Sequence, residues 1–224
     1  MIKAIVFDLD GVVVVNKERF SSFYAREHMP PKQVGAGFPR PSDHADLRVR
    51  PSIKADGHSP MISFFEGPFQ HCLIGKSDLK EILPQELLGF GWKGNVEEFM
   101  TLWFETENNV DPKMIEYIQE LRSRGVTLAI ATNQEKHRTQ YLVSDMGLGI
   151  HFHHVFSSAT VGHVKPNRKF FEKLTIELGV KKNEILFWDD TPENVEGAKS
   201  FGINAHLYKN LDDCKMLTER YLAD

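Results

Sequence analysis

The second half of the chain alternates short apolar runs with amphipathic segments. Continuous apolar runs of this length are typical of strands buried on both faces, and apolar positions three and four residues apart indicate helices. Strands are predicted at residues 126–132, 155–157, 184–188 and 204–208. Capping residues mark the helix ends: Asp111 and Pro112 open one helix that stops at Gly125, and Pro166 opens another that stops at Gly179. This βαβ repetition predicts a parallel sheet flanked by helices.

The first apolar run of the chain, residues 2–7, predicts a further buried strand that ends in two closely spaced carboxylates, Asp8 and Asp10. Burying both without a cation or a proton would cost several kcal/mol each. A positive partner is therefore expected nearby. The alternative is a solvated loop in which the two aspartates only cap the next turn, which Gly11 would support.

The segment between residues 15 and 110 does not follow the βαβ pattern and is predicted to be an insertion. Helices are expected at residues 17–28 and 94–104. Residues 30–60 hold six of the eleven prolines and show no period, so that an irregular loop is expected there.

Composition narrows the function classes. The chain has 224 residues with 27 Lys and Arg against 31 Asp and Glu, so it has no basic surplus and nucleic acid is not an expected partner. The apolar N-terminal run is interrupted by two aspartates and has no small-residue cleavage site, which argues against a signal peptide or a membrane span. A cytoplasmic protein with two reduced cysteines is predicted.

Polar residues gather where the predicted strands end. Asp8, Thr132 and the pair Asp189 and Asp190 each close a strand, and Lys165 lies in the loop after another. Ligands bind at the carboxyl ends of parallel strands, so these side chains are expected along one edge. Carboxylates from two loops, together with waters and a phosphate, are the oxygen ligands that Mg²⁺ prefers. The sequence therefore predicts a cation site that binds phosphate.

Each of these residue types suits one step of phosphoryl transfer. Asp8 is predicted to attack phosphorus and form an aspartyl-phosphate, while Asp10 protonates the leaving alcohol and then activates water. Thr132 can donate to a phosphoryl oxygen, and Lys165 can neutralise phosphate charge. Taken singly, the alternatives are a helix cap for Thr132 and a solvated side chain for Lys165.

Four segments then show a family resemblance: DLDGV at residues 8–12, ATN at 131–133, GHVKP at 162–166 and DDTPENVEGA at 189–198. In this order they resemble the haloacid dehalogenase superfamily, in the branch with a helical cap after the first motif. The resemblance implies an α/β fold with a three-layer Rossmann-like parallel-sheet core. The core would comprise residues 1–15 and 106–224, and the mainly α-helical cap residues 16–105 with the irregular loop 30–60.

The resemblance also implies a role for each matching residue. The catalytic residues would be Asp8, Asp10, Thr132 and Lys165, and the substrate-binding residues Leu9 and Asn133. Magnesium would be held by Asp8, by the backbone carbonyl of Asp10, by Asp190, and by Asp189 directly or through another ligand. Family members that cleave carbon–halogen bonds lack an acid at the position of Asp10, so its presence favours phosphoryl transfer over dehalogenation.

The sequence thus predicts a Mg²⁺-dependent phosphatase for a small phosphorylated metabolite, with a sugar phosphate as the candidate and a monomer or homodimer as the assembly. A phosphomutase similar to β-phosphoglucomutase and an inactive relative acting as a binding module are the alternatives. Many phosphatase relatives carry Asp where this chain has Val15, and residues 30–60 are atypical for a helical cap. Both departures concern the choice of substrate.

Three further patterns have simpler explanations. IGKS at residues 74–77 is similar to part of a phosphate-binding loop, but Gln70 stands where that motif needs glycine. Three histidines lie close together without an acidic or cysteine partner at ligand spacing, and are expected to be surface or half-buried side chains: His151, His153 and His154. Aromatic residues of the insertion are expected to form its own small core: Phe64, Phe65, Phe69, Trp92, Trp103 and Phe104.

Overall fold

The structure, a computed structural model, describes residues 1–28 and 60–223. Its centre is a five-stranded parallel sheet in the order β3-β2-β1-β4-β5. The strands are β1 (Ala4–Phe7), β2 (Thr127–Thr132), β3 (His154–Ser157), β4 (Ile185–Asp189) and β5 (Asn204–Leu207). Phe7 at the end of β1 pairs with Ile130 of β2 and with Trp188 of β4. The carboxyl ends of these three strands therefore meet at one edge.

Eleven α-helices accompany the sheet in the described residues. Five follow one another in the insertion after β1: α1 (Phe20–His28), α2 (Pro60–Glu66), α3 (Phe69–Cys72), α4 (Leu79–Phe90) and α5 (Val96–Thr106). The other six alternate with the later strands: α6 (Pro112–Ser123), α7 (Lys136–Gln140), α8 (Ser158–Val161), α9 (Arg168–Leu178), α10 (Pro192–Phe201) and α11 (Leu211–Ala223). A π-helical turn, Tyr141–Asp145, continues α7. We call α1 to α5 the cap, and the sheet with α6 to α11 the core.

Both faces of the sheet are covered, which gives the core three layers. Ile5 and Phe7 of β1 point to one face and pack in a cluster with residues of α6 and α11. Ala4 and Val6 point to the opposite face, into a second cluster with residues of α9 and α10. Because every position of β1 is buried, its sequence is apolar throughout instead of alternating. The predicted α/β fold with a helical insertion after the first strand is confirmed.

The cap has a hydrophobic cluster of its own. Phe20 of α1 packs edge-on against Phe99 of α5, with ring centroids 5.3 Å apart, and stacks on Trp103 at 5.7 Å. All six aromatic residues that the sequence assigned to this small core belong to the cluster. Offset and edge-on ring pairs of this kind let a small helical unit bury much apolar area.

Several boundaries differ from those that the sequence predicted. The helix expected to start at Pro166 starts at Arg168, because the Asn167 side chain accepts a hydrogen bond from the Lys169 backbone N–H and caps it. Helix α4 contains Pro84. The helices that had not been predicted are α2, α3, α4, α8 and α11. The irregular loop expected at residues 30–60 lies outside the described residues, except for Pro60, which begins α2.

Candidate active site

Asp8 lies directly after β1 at the carboxyl edge of the sheet and is 7% exposed. Its backbone N–H donates to the carbonyl of Trp188 at 2.9 Å, which continues the pairing of β1 with β4. Its Oδ1 accepts from the Leu9 backbone N–H at 2.7 Å and lies 3.0 Å from Lys165 Nζ. Burial and the charge of Asp189 raise the pKa of Asp8 well above its ordinary value, and Lys165 only partly opposes them. A buried carboxyl of this kind is stabilised as an anion by added positive charge.

Lys165 is the positive group that the buried Asp8 of the opening motif requires. Its fully buried Nζ donates to Asp189 Oδ2 at 2.7 Å and to the Ala131 carbonyl at 2.6 Å. Burial acts to lower the pKa of Lys165, but Asp189 and Asp8 outweigh burial and the net effect is a raised pKa. The lysine is therefore a charged part of the site, and the alternative of a solvated side chain is wrong.

Asn133 holds the loop that carries this lysine. Its Nδ2 donates to the Lys165 carbonyl at 3.0 Å, and its Oδ1 accepts from the Lys165 backbone N–H at 2.8 Å. Both ends of the amide are thus used by the backbone of one residue. The end of β2 fixes the position of Lys165 through this pair of bonds.

Three carboxylates meet at the same edge. Asp8, Asp189 and Asp190 each offer an oxygen, and these atoms lie within 4.8 Å of one another. Asp189 is oriented by the Thr191 backbone N–H at 2.9 Å and by Asn194 Nδ2, 3.1 Å from both of its carboxylate oxygens. The negative charge of three carboxylates exceeds the single positive charge of Lys165. Hard oxygen donors of this kind suit a small divalent cation such as Mg²⁺. The donor set therefore fits the predicted metal.

Gly11 makes room for Asp190. A Cβ at Gly11 would lie 2.1 Å from Asp190 Oδ2, and the φ of Gly11 is +84°. Only glycine adopts this backbone conformation at low cost, and only glycine lets the carboxylate approach so closely. The glycine of DLDGV thus supports the acidic cluster in addition to the turn.

Asp10 stands apart from the three clustered carboxylates. Its side chain is 41% exposed, and Oδ1 accepts from Arg138 Nη2 at 2.6 Å. Gln134 Nε2 donates to the other oxygen, Oδ2. The sequence pointed to neither Arg138 nor Gln134, because the polar segment QEKHRTQ at residues 134–140 is typical of solvated side chains, whereas Arg138 is 2% exposed.

The remaining predicted residues lie around these groups. Thr132 ends β2 and is 1% exposed, beside the carbonyl that Lys165 contacts. The Leu9 side chain packs in the core cluster, so that its backbone is the part left to meet a substrate. Neither the IGKS segment nor the histidines belong to the site. Gly75 packs against the Ala159 carbonyl, and His153 Nδ1 accepts from the Leu128 backbone N–H at 3.0 Å.

Comparisons with known proteins agree with this geometry. The family of haloacid dehalogenase-like hydrolases matches residues 2–202. The sesquiterpene phosphatase astK of Aspergillus oryzae is 29% identical over 113 residues, which is 49% of this chain and 56% of that protein. Haloacetate dehalogenase H-2 of Moraxella is 31% identical over 91 residues, 41% of each chain. The chain thus spans about half or less of the length of these curated relatives.

Solved structures share the fold over nearly the whole chain. A haloacid dehalogenase family enzyme of Bacteroides thetaiotaomicron, in complex with magnesium and inorganic phosphate, superposes with a TM-score of 0.70 at 16% identity, covering 93% of this chain and 95% of that one. Among the described residues, no helix has the length and apolarity to cross a bilayer. From the family match over residues 2–202 and the shared fold, the chain belongs to the haloacid dehalogenase-like hydrolases.

Proposed function

We propose that the protein is a Mg²⁺-dependent phosphatase that hydrolyses a small phosphomonoester through an aspartyl-phosphate on Asp8. The observation that carries this proposal is the cluster at the strand ends, where three carboxylates and the Lys165 ammonium surround one point. Phosphatases and dehalogenases both occur among the relatives. The acid at position 10 favours the phosphatase reaction.

Asp8, Asp189 and Asp190 would hold the metal through their side chains, and Asp10 through its backbone carbonyl. Bound magnesium would offset the negative charge of these carboxylates and of the substrate phosphate. Lys165 keeps one positive charge at Asp8 and Asp189, which lowers the repulsion between the nucleophile and a phosphate dianion. Thr132 and Lys165 would bind the phosphoryl oxygens, with Leu9 and Asn133 as further substrate-binding residues.

The reaction then proceeds in two displacements. A carboxylate oxygen of Asp8 forms a bond to phosphorus as the bond from phosphorus to the substrate oxygen breaks, and Asp10 gives that oxygen a proton. In the second step Asp10 takes a proton from water, the water oxygen attacks phosphorus, and the Asp8 carboxylate and phosphate are released. The exposed side of Asp10 leaves it accessible for both transfers.

We assign residues 1–15 and 106–224 to the core domain and 16–105 to the cap domain. The support for this division is that the hydrophobic cluster of the cap shares no buried residue with the two clusters of the sheet. A cap beside the strand ends would select the alcohol part of the substrate, with a sugar phosphate as the candidate. The monomer or homodimer and the cytoplasmic location stay predictions from the sequence.

A panel of phosphorylated metabolites tests the proposal. With Mg²⁺ present, we expect phosphate release from at least one sugar phosphate, and none from the Asp8→Asn protein or after chelation. Quenching during turnover and measuring intact mass should show phosphate on the wild type. Transfer of phosphate between positions of a hexose 1-phosphate without release would instead identify a phosphomutase. No turnover of any substrate above Asp8→Asn would identify an inactive relative.

A further inference from the structure

Arg138 is a buried guanidinium for which the reaction described above has no role. It lies in α7 and is 2% exposed, a degree of burial that arginine tolerates only when its charge is paired. Nη2 donates to Asp10 Oδ1 at 2.6 Å, and Nη1 donates to the Glu107 carbonyl at 3.0 Å. The Glu107 carboxylate lies 3.9 Å from Nη2. The planar guanidinium of Arg138 thus joins Asp10 to Glu107, the residue that follows the last cap helix.

Glu107 in turn joins the two ends of the cap. Its Oε1 accepts from the backbone N–H of Phe20, the first residue of α1, at 2.7 Å. Its Oε2 accepts from Trp103 Nε1 of α5 at 3.0 Å. The rings of Phe20 and Trp103 stack at 5.7 Å, so the same two residues are also held by packing. The chain enters and leaves the cap helices beside this one carboxylate.

We propose that Arg138 is a positioning residue that fixes the orientation of the Asp10 carboxylate and, through Glu107, ties that orientation to the seating of the cap. This inference rests on the proposed acid and base role of Asp10. The Asp10 side chain is 41% exposed and is not held by packing, so its orientation depends on the polar groups that reach it. Arg138 and Gln134 supply that support from α7 and the loop before it.

Orientation matters because proton transfer to a leaving group requires hydrogen-bond distance and alignment. The guanidinium reaches Asp10 and Glu107 together because its donors lie in a fixed plane, a property that a lysine ammonium lacks. A displaced cap would move Glu107 and withdraw one of the two supports of Arg138. Proton donation by Asp10 is thereby greatest when the cap is seated as observed.

The test compares two substrates that differ in their need for a proton. Nitrophenolate leaves without protonation, whereas the alkoxide of glycerol 2-phosphate does not. We expect Arg138→Met to lower kcat/KM for glycerol 2-phosphate by about tenfold or more beyond any loss for 4-nitrophenyl phosphate. A purely structural role would lower both values equally and leave their ratio unchanged.

Conservative and control variants sharpen the result. Arg138→Lys keeps the charge, and its ratio of kcat/KM for glycerol 2-phosphate to that for 4-nitrophenyl phosphate should lie between those of Arg138→Met and the wild type. Glu107→Gln should lower this ratio below the wild-type value, as Arg138→Met does. The double variant should lose little more than Arg138→Met alone, because both changes break one linkage. Arg124→Met removes a surface arginine that pairs with Glu219 and should leave the ratio at the wild-type value.

An unchanged ratio in folded Arg138→Met protein overturns the inference. If that variant does not fold, Arg138→Lys and Glu107→Gln decide by the same ratio, and wild-type values in both overturn it as well. A wild-type protein that releases no phosphate from any substrate defeats the proposed function and this inference with it. An active wild type whose ratio ignores these substitutions defeats the inference alone.

Discussion

The core and the cap bury different kinds of side chain. All eleven buried polar or charged residues in the described part of the chain belong to the core, among them Asp8, Arg138, Lys165 and Asp189. The buried residues of the described cap are hydrophobic, and most of them are aromatic. Buried charge costs several kcal/mol per group unless it is paired. The core therefore holds the candidate active site at a cost in stability, whereas hydrophobic packing stabilises the cap.

The two regions meet through polar contacts and through the rings of Phe104 and Tyr141, whose centroids lie 5.5 Å apart. Asp78, which caps α4, accepts from His137 Nε2 at 2.6 Å and from Lys136 Nζ at 3.2 Å, both on α7. Arg138 of the same helix contacts Glu107. Helix α7 thus contacts the cap at two places while it supports Asp10. Because the buried polar groups lie in the core and the cap is apolar inside, substitutions in the two regions should affect activity and stability differently.

Replacing Asp8, the proposed nucleophile, should lower activity without lowering stability. Asp8→Asn is expected to lower the turnover of phosphomonoesters by about 10⁴-fold or more. Its unfolding temperature should not fall, because the substitution removes a buried charge that lies near Asp189. Phosphate release and thermal melts of the apo protein measure the two effects. A melt well below that of the wild type would contradict the view that Asp8 is retained at a cost in stability.

Removing an aromatic ring from the cap should lower the stability of the protein. Phe99 is 1% exposed and contacts the rings of Phe20, Tyr24 and Phe90. Phe99→Ala is expected to lower the free energy of unfolding by about 3–5 kcal/mol through lost burial and the cavity left behind. Urea unfolding measures it, and Phe99→Leu, which keeps most of the volume, should cost less than about 1.5 kcal/mol. Equal losses in the two variants would rule out a packing effect.

Gly11 links backbone conformation to the proposed metal site. Gly11→Ala would place a Cβ 2.1 Å from Asp190 Oδ2, so Asp190 must move. We expect the Mg²⁺ concentration for half-maximal activity to rise by about tenfold. Gly125→Ala is the matched control: its φ is +79°, but nothing lies within 4 Å of the added Cβ. It should cost about 1 kcal/mol in stability and leave the Mg²⁺ dependence unchanged.

The contact of Asp78 with α7 should appear as a small acid dependence of stability. Burial acts to raise the pKa of Asp78, but its bonds to His137, to the Lys80 backbone and to Lys136 outweigh burial and lower the pKa to about 2. Because the folded pKa lies below the unfolded value, this stabilisation is present above about pH 4 and is lost as the pH falls towards 2.

The effect is expected to be about 1 kcal/mol, since the pair is partly exposed. Free energies of unfolding by urea at pH 6 and pH 3 should differ less in Asp78→Asn than in the wild type. Asp212→Asn, an exposed aspartate of α11, should keep the wild-type difference. If both variants behave alike, the contact between Asp78 and α7 does not stabilise the protein.

Part of the candidate site follows from local sequence rules. Asp8, Thr132 and Asp189 end buried strands, and parallel strands bring such ends together whatever the details of packing. The lysine of GHVKP reaches the same edge as predicted. No local rule gives supporting contacts such as those of the Asn133 side chain with the Lys165 backbone.

The sequence by itself determined the parallel sheet, the helical insertion after the first strand and the gathering of Asp8, Lys165, Asp189 and Asp190, because apolar periodicity and strand ends are local properties. Only the tertiary structure decided that Arg138 is buried against Asp10 and Glu107, and that the Leu9 side chain belongs to the core. The burial of Arg138 depends on its pairing with Asp10, which lies 128 residues away in the sequence. No local pattern along the chain encodes a contact over such a separation.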